Sequence, residues 1–206
     1  DVEGLNYRAG DGYRASARGK SNQPAVFLDS AGRAFATDAH SLPSARSQGE
    51  PMTGRFNLTS GASFEHVVMG EDAQVLLMAS DAGYGFITDF KDLVSKNKNG
   101  KALVSVPKGG VLLSPIRVND VASDYCMAIS NEGRMLLFPL RDLPKLGKGK
   151  GNKIISIPGA KVQAREEFVK VLAVVPQGSS VTLHAGKRKL TLKPSDLEHY
   201  HGERGR

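Results

Sequence analysis

The residues of this chain best suited to chemistry are cations interleaved with glycine. The densest run, Lys145-Leu146-Gly147-Lys148-Gly149-Lys150-Gly151-Asn152-Lys153, holds four ammonium groups and no acid. Glycines let a backbone approach its ligand closely and present N–H groups beside the ammoniums. That suits phosphate oxygens better than base edges. Three more basic segments are 8–20 (Arg8, Arg14, Arg18, Lys20), 91–101 (Lys91, Lys96, Lys98, Lys101) and 186–193 (Lys187, Arg188, Lys189, Lys193). Segments 8–20 and 91–101 carry +3 each, and 145–153 and 186–193 carry +4 each, in a chain of net charge +7. The remainder is therefore acidic. An acidic body with basic patches is the pattern of a polyanion binder. Solvated surface loops are the plain alternative.

Catalytic groupings fail on inspection. Gly19-Lys20-Ser21 resembles the end of a phosphate-binding loop, but Arg14 stands where the first glycine is required. Gly147 to Gly151 is not a dinucleotide fingerprint, because Asn152 replaces its last glycine and no helix follows. There is no Gly-x-Ser-x-Gly nucleophile turn. His199 and His201 could share a strand face, but without nearby thiols or paired carboxylates they read as surface histidines and no metal site is expected. His40, His66 and His184 are dispersed. Cys126 lies in the apolar run Tyr125–Ile129 and reads as a buried, inert thiol.

The elements that must position the cations are short strands. The 206 residues (22.0 kDa) are 40% hydrophobic and 24% charged, enough for one packed domain and too few for two large ones. Glycine is frequent, with 23 residues, while aromatics are 6% and Trp is absent. A single cysteine excludes an internal disulfide framework and suits a reducing compartment. No apolar run is long enough to span a membrane. Asp1-Val2-Glu3-Gly4 has no initiator Met and no basic-then-apolar leader, which reads as an excised fragment.

Four segments superimpose: Val26–Arg33, Leu76–Gly83, Met127–Arg134 and Val181–Arg188. Their key glycines, Gly32, Gly83, Gly133 and Gly186, sit where a tight hairpin needs positive φ. Leu42, Leu93, Leu143 and Leu197 follow them at nearly constant offset, three of them preceded by Asp. Each repeat then runs through a basic glycine loop to a strand ending in proline, as in Lys101–Pro107 and Lys153–Pro158. A last strand follows, as in Phe64–Met69, Val111–Val118 and Phe168–Val175. About four strands in about 50 residues is the size of a propeller blade. The expected repeats are 25–73, 74–124 and 125–178, with partial ones at 1–24 and 179–206. The basic loops, holding Arg46, then Lys96, Lys98 and Lys101, then Lys145, Lys148, Lys150 and Lys153, then Arg204 and Arg206, fall at one equivalent place. Repeats arranged around an axis would align them as a curved belt. Arg33 should lie at the opposite end of its blade. With no recognition helix and few aromatics, base reading is not expected.

These repeats resemble the C-terminal domain of the A subunit of bacterial type IIA topoisomerases, of the topoisomerase IV kind. Leu42–Pro51, Ala79–Phe86 and Gly147–Ile155 carry the likeness, which covers essentially the whole chain. The resemblance implies an all-β β-pinwheel: propeller-like four-stranded blades that exchange strands with their neighbours, in a broken or open ring. It implies a noncatalytic domain that binds and bends duplex DNA, helping an ATP-dependent enzyme choose crossings for strand passage in decatenation and relaxation. The catalytic tyrosine, ATP and Mg are implied to act elsewhere in the holoenzyme. Implied partners are duplex DNA, the rest of the A subunit, the B subunit through it, and the hinge of the bacterial condensin; the implied location is the cytoplasm, at the nucleoid. The gyrase relatives carry a box, Gln-Arg-Arg-Gly-Gly-Lys-Gly. Here the stretch reads Gln48-Gly49-Glu50-Pro51-Met52-Thr53-Gly54, without a cation, which argues against gyrase-like wrapping. The other reading is a protein-interaction propeller whose belt meets acidic partners, with Lys187, Arg188 and Lys189 as a protein contact.

Overall fold

The computed structural model describes residues 4–206; Asp1, Val2 and Glu3, and with them the leader reading, lie outside the described residues. In chain order the strands are β1 (Pro24–Asp29), β2 (Arg33–Asp38), β3 (Phe64–Met69), β4 (Val75–Ser80), β5 (Tyr84–Asp89), β6 (Lys101–Ala102) and β7 (Ile116–Val118). After these come β8 (Tyr125–Ser130), β9 (Met135–Pro139), β10 (Asn152–Lys153), β11 (Val169–Val175), β12 (Val181–Ala185) and β13 (Arg188–Leu192). The helices among the described residues are short, the two α-helical ones being α1 (Gly159–Gln163) and α2 (Pro194–Leu197).

The strands form four separate open sheets, ordered β3-β1-β2-β6, β10-β5-β4-β7, β11-β8-β9 and β12-β13. The hairpins β1–β2, β4–β5 and β8–β9 turn on Gly32, Gly83 and Gly133, all with φ between 81° and 87°. Strands are exchanged as the family resemblance implied. The edge of the first sheet is closed by β6 from the next repeat (Arg33 opposite Ala102), and that of the second by β10 (Tyr84 opposite Lys153). Each sheet of four is thus built from two successive repeats.

Side-chain alternation explains the core. Leu76, Met78 and Phe86 face the first sheet and pack with Val26, Leu28 and Ala34. Leu77, Ala79 and Ile87 face the third sheet and pack with Cys126, Ala128 and Phe138. Met127 and Leu137, on the other face of the third sheet, meet Leu192 and Leu197. The central strands are therefore covered on both sides, which is why they read as unbroken apolar runs. The far face of the first sheet is covered by an aromatic cluster, with the Phe35 ring 5.3 Å from Phe56 and 5.4 Å from Phe64.

Three expectations are corrected. Of the runs Lys101–Pro107 and Lys153–Pro158 only Lys101–Ala102 and Lys153 are strand, because the chain then leaves the edge: Leu103 and Val104 both donate to Gly32 O. Val111–Val118 pairs as a strand only over Ile116–Val118, after Pro115, which cannot donate to a ladder. The third sheet has three strands. Beside β9 there is a single parallel bridge, Leu137 to His201, with Gly202 N donating to Leu137 O at 3.0 Å.

Candidate nucleic-acid interface

Each basic loop begins at a leucine anchor. Leu93, Leu143 and Leu197 are buried and Leu42 is half-buried, and each sits in or just after one helical turn that ends its hairpin. The chain then crosses to the neighbouring sheet, and the loop between anchor and crossing carries the cations.

These loops are tied to one another in series by hydrogen bonds. Asn57 N donates to Lys98 O at 2.9 Å, and its amide reaches Asn99 Oδ1 at 2.9 Å. Gly149 N donates to Leu103 O at 2.9 Å, and Ser105 N returns to Gly149 O at 3.0 Å. Gly205 N donates to Ile154 O, and Ser156 N to Arg206 O, each at 2.9 Å. The third loop is also fastened along β5, where Leu146 N donates to Ile87 O at 2.9 Å. A Cβ on Gly151 would lie 2.0 Å from Gly85 O, so only glycine allows that backbone approach. The glycine loops are thus held strips and not slack tethers.

Along the strip, Lys96, Lys98, Lys148, Lys153 and Arg206 are exposed, and among the described residues none pairs with a carboxylate. Lys150 is exposed with its Nζ 4.3 Å from the centre of the Tyr84 ring, a cation–π contact that fixes its direction. Other cations of the expected belt are partly engaged. Lys145 pairs with Asp89 at 2.9 Å, and Lys101 donates to Asp92 O. Arg204 is half-buried and donates to Lys153 O at 2.8 Å, with its Nε buried and unpartnered. Near the start of the chain Arg8 donates to Gln48, Arg14 pairs with Glu65 at 2.8 Å and Lys20 with Glu71 at 3.0 Å, while Arg18 has no carboxylate partner among the described residues. The Lys20 ammonium beside Glu71 holds that carboxyl below its ordinary range.

The first loop is poor in free cations. Arg46 is exposed, whereas Arg55 pairs with Glu50 and donates to Ser41 Oγ at 2.8 Å. Gln48 and Glu50 are both occupied by arginines, Gly49 has φ of 74°, and Met52–Gly54 forms one helical turn, so the Gln48–Gly54 stretch projects no cation of its own. The tip Lys187, Arg188 and Lys189 is exposed at the end of the β12–β13 hairpin, apart from the strip's ties.

Arg33 requires a correction. Its guanidinium donates to Asn99 O at 2.8 and 3.0 Å and to Gly100 O at 3.0 Å. The exchanged strand brings the next repeat's basic loop to it, so Arg33 braces the strip instead of lying at the far end. Arg134, at the same position after its turn glycine, turns instead to its own repeat, meeting Ser156 O at 2.6 Å and the buried Glu167 at 2.7 Å. Burial alone would raise the Glu167 carboxyl, but the hydrogen bond and charge of Arg134, with Ser130 and Lys161, outweigh it and the group lies below its ordinary range. Sequence reasoning missed Tyr84, although it follows a key glycine just as Arg33 and Arg134 do, and that shared position was the available signal.

Cys126 is fully buried, and burial pushes its thiol far above the ordinary range. His201 packs edge-to-face on Tyr125 at 4.9 Å. No cluster of three potential metal ligands occurs among the described residues, and no helix there is long and apolar enough to cross a membrane.

Comparison with known proteins places this geometry. The family model described as "DNA gyrase C-terminal domain, beta-propeller" matches residues 74–119 and 124–175. The A subunit of DNA topoisomerase 4 from Pseudomonas aeruginosa is 57% identical over the whole chain, and that from Escherichia coli K12 is 53% identical; the chain spans 27% of the length of each. The solved E. coli ParC C-terminal domain superposes with a TM-score of 0.91 at 53% identity, covering all of this chain and 83% of that one. A gyrase A C-terminal domain shares the fold at a TM-score of 0.64 and 12% identity, over 86% of this chain and 57% of that one. The chain belongs to the family of C-terminal β-pinwheel domains found in the A subunit of DNA topoisomerase IV.

Proposed function

We propose that this chain binds duplex DNA along the strip of serially tied basic loops and bends it, as a noncatalytic part of the topoisomerase IV A subunit. The observation that carries the reading is the continuity of the strip. Loops from successive repeats meet through backbone hydrogen bonds, and Lys96, Lys98, Lys148 and Lys153 are exposed on them. A curved path of cations on a folded body neutralises phosphates along a duplex and draws it out of line. In the holoenzyme that bending would help choose crossings for strand passage, with ATP, Mg and the B subunit acting at other parts of the assembly on chromosomal DNA in the cytoplasm. Duplex binding by this chain itself requires neither nucleotide nor metal.

The test is a salt titration. Each phosphate contact adds about 0.9 to the slope of log K against log salt. Lys148→Ala with Lys150→Ala should lower the slope by roughly one to two and weaken binding on any sequence. An unchanged slope with an intact fold would refute the strip as the DNA path. The exposed hairpin tip Lys187–Lys189, with Leu190 57% exposed beside it, supports a second reading in which an acidic protein such as the condensin hinge docks away from the strip.

A further inference from the structure

Repeats two and three meet at a cleft that the repeat pattern does not explain. Its volume is about 150 Å³, and its floor is apolar: Ala82, Pro107, Ile157 and Val162. Lys108 and Lys150 stand at its rim with Tyr84, and no carboxylate lines it. Lys108 is exposed and has no hydrogen-bond partner or ion pair among the described residues. One wall is α1, which has no counterpart after the exchanged strand β6.

That wall is firmly placed. Arg165, at the end of the α1 segment, is the sole non-glycine residue with positive φ (56°) among the described residues. It donates to Asp81 Oδ2 at 2.8 Å and to Gly109 O at 3.0 Å, and stacks on Phe168 at 4.1 Å. A Cβ on Gly109 would come 2.5 Å from Gln163 Cα, so the two walls touch backbone to backbone. The left-handed turn at Arg165 closes α1, with Arg165 N donating to Val162 O at 3.0 Å and Glu166 N to Lys161 O at 2.9 Å, so the wall ends in a capped helix held to Asp81 and Gly109.

The geometry points to a binding site for an acidic protein segment, in which one aliphatic side chain enters the recess and flanking carboxylates meet Lys108 and Lys150. A duplex does not fit this recess, because its outer surface presents phosphates that an apolar floor cannot satisfy. The apolar floor favours a protein segment over a duplex, the ammoniums at the rim can pair with carboxylates flanking the inserted side chain, and the recess has room for about one side chain. Because Lys150 also stands on the basic strip, such a segment and duplex DNA exclude each other there. The site itself does not depend on duplex binding, so its test is independent of that reading.

The test follows backbone amide resonances of the 206-residue chain at low salt while adding a capped pentapeptide, Asp-Glu-Leu-Glu-Asp. Saturable shifts at Lys108, Gly109, Gly159 and Gln163 are expected, and replacing the peptide's Leu by Gly should weaken binding about tenfold or more. Gly159→Phe adds a ring to the lining at a position where a Cβ meets nothing within 4 Å, and should abolish those shifts. Lys108→Ala should weaken the peptide while leaving the slope for duplex binding unchanged. Shifts confined to the basic strip, equal binding of the Leu and Gly peptides, or unaltered binding to a folded Gly159→Phe chain would each overturn the proposal.

Discussion

Gly32 lies directly under the carbonyl of Val104: a Cβ at Gly32 would come 1.9 Å from Val104 O, and the residue has φ of 83°. The same relation recurs one repeat later, where a Cβ on Gly83 would lie 2.5 Å from Ile155 O. Gly133 has a similar φ, but nothing lies within 4 Å of its Cβ position. Gly32→Ala and Gly133→Ala therefore separate torsional strain from collision. Gly133→Ala should cost about 1 kcal/mol from the left-handed backbone alone. Gly32→Ala should cost clearly more, because a backbone carbonyl must move and the exchanged strand with it. Urea denaturation of both variants measures the difference, and equal losses would show that the exchanged strand is not latched at Gly32.

Arg33→Ala removes three hydrogen bonds to the Asn99 and Gly100 carbonyls and should lower stability by about 1–2 kcal/mol. Lys98→Ala, at an exposed site, should stay within about 0.5 kcal/mol. The ranking should invert for DNA: Lys98→Ala lowers the salt slope by about 0.9, whereas Arg33→Ala does not change it. Measuring melting and salt dependence on the same two proteins checks both halves.

The Arg134–Glu167 pair gives a pH signature. The folded-state carboxyl lies below its ordinary value of 4.5, so its stabilisation is complete above that value and is lost as pH falls through the depressed folded value. Glu167→Gln should be less stable than the parent at pH 7, and the gap should narrow under acid. A constant gap from pH 7 to pH 3 would mean the pair adds nothing through charge.

Cys126 should resist alkylation by iodoacetamide under native conditions at pH 8 and react at once in denaturant, since a buried thiol without its thiolate is a poor nucleophile. Native labelling at the rate of a free thiol would show that the core between the second and third sheets opens readily.

Competition between unrelated duplexes of equal length should show little preference, below about a hundredfold, because outward lysines on phosphates carry no base code. A larger preference would place a base-reading element on the strip.

The repeat was legible because its turn glycines and anchor leucines recur at nearly fixed spacing, and each is demanded locally by a hairpin or a buried turn. The exchanged strands were not legible in detail. At two residues, Lys101–Ala102 and Asn152–Lys153 are too short to carry a periodicity, and their partners lie about 68 residues earlier in the chain. The same distance hid the real surroundings of Arg33 and Tyr84. Both were read within their own repeat, while each meets a loop from the next. The sequence places the cations in loops that follow the anchor leucines, but it cannot tell Lys148, which faces solvent, from Arg204, whose guanidinium is folded back onto Lys153 O.

Strand exchange also governs where this chain can be cut. Terminating it after Asp142 would leave the third hairpin whole, yet it would strip β10 from the second sheet and bare the edge of β5, an aggregation-prone margin. A fragment intended to carry one intact sheet must therefore extend past the exchanged strand of the following repeat. By the same logic, deletion of one repeat during evolution would preserve the assembly only if the removed piece began and ended at equivalent points of two consecutive exchanges.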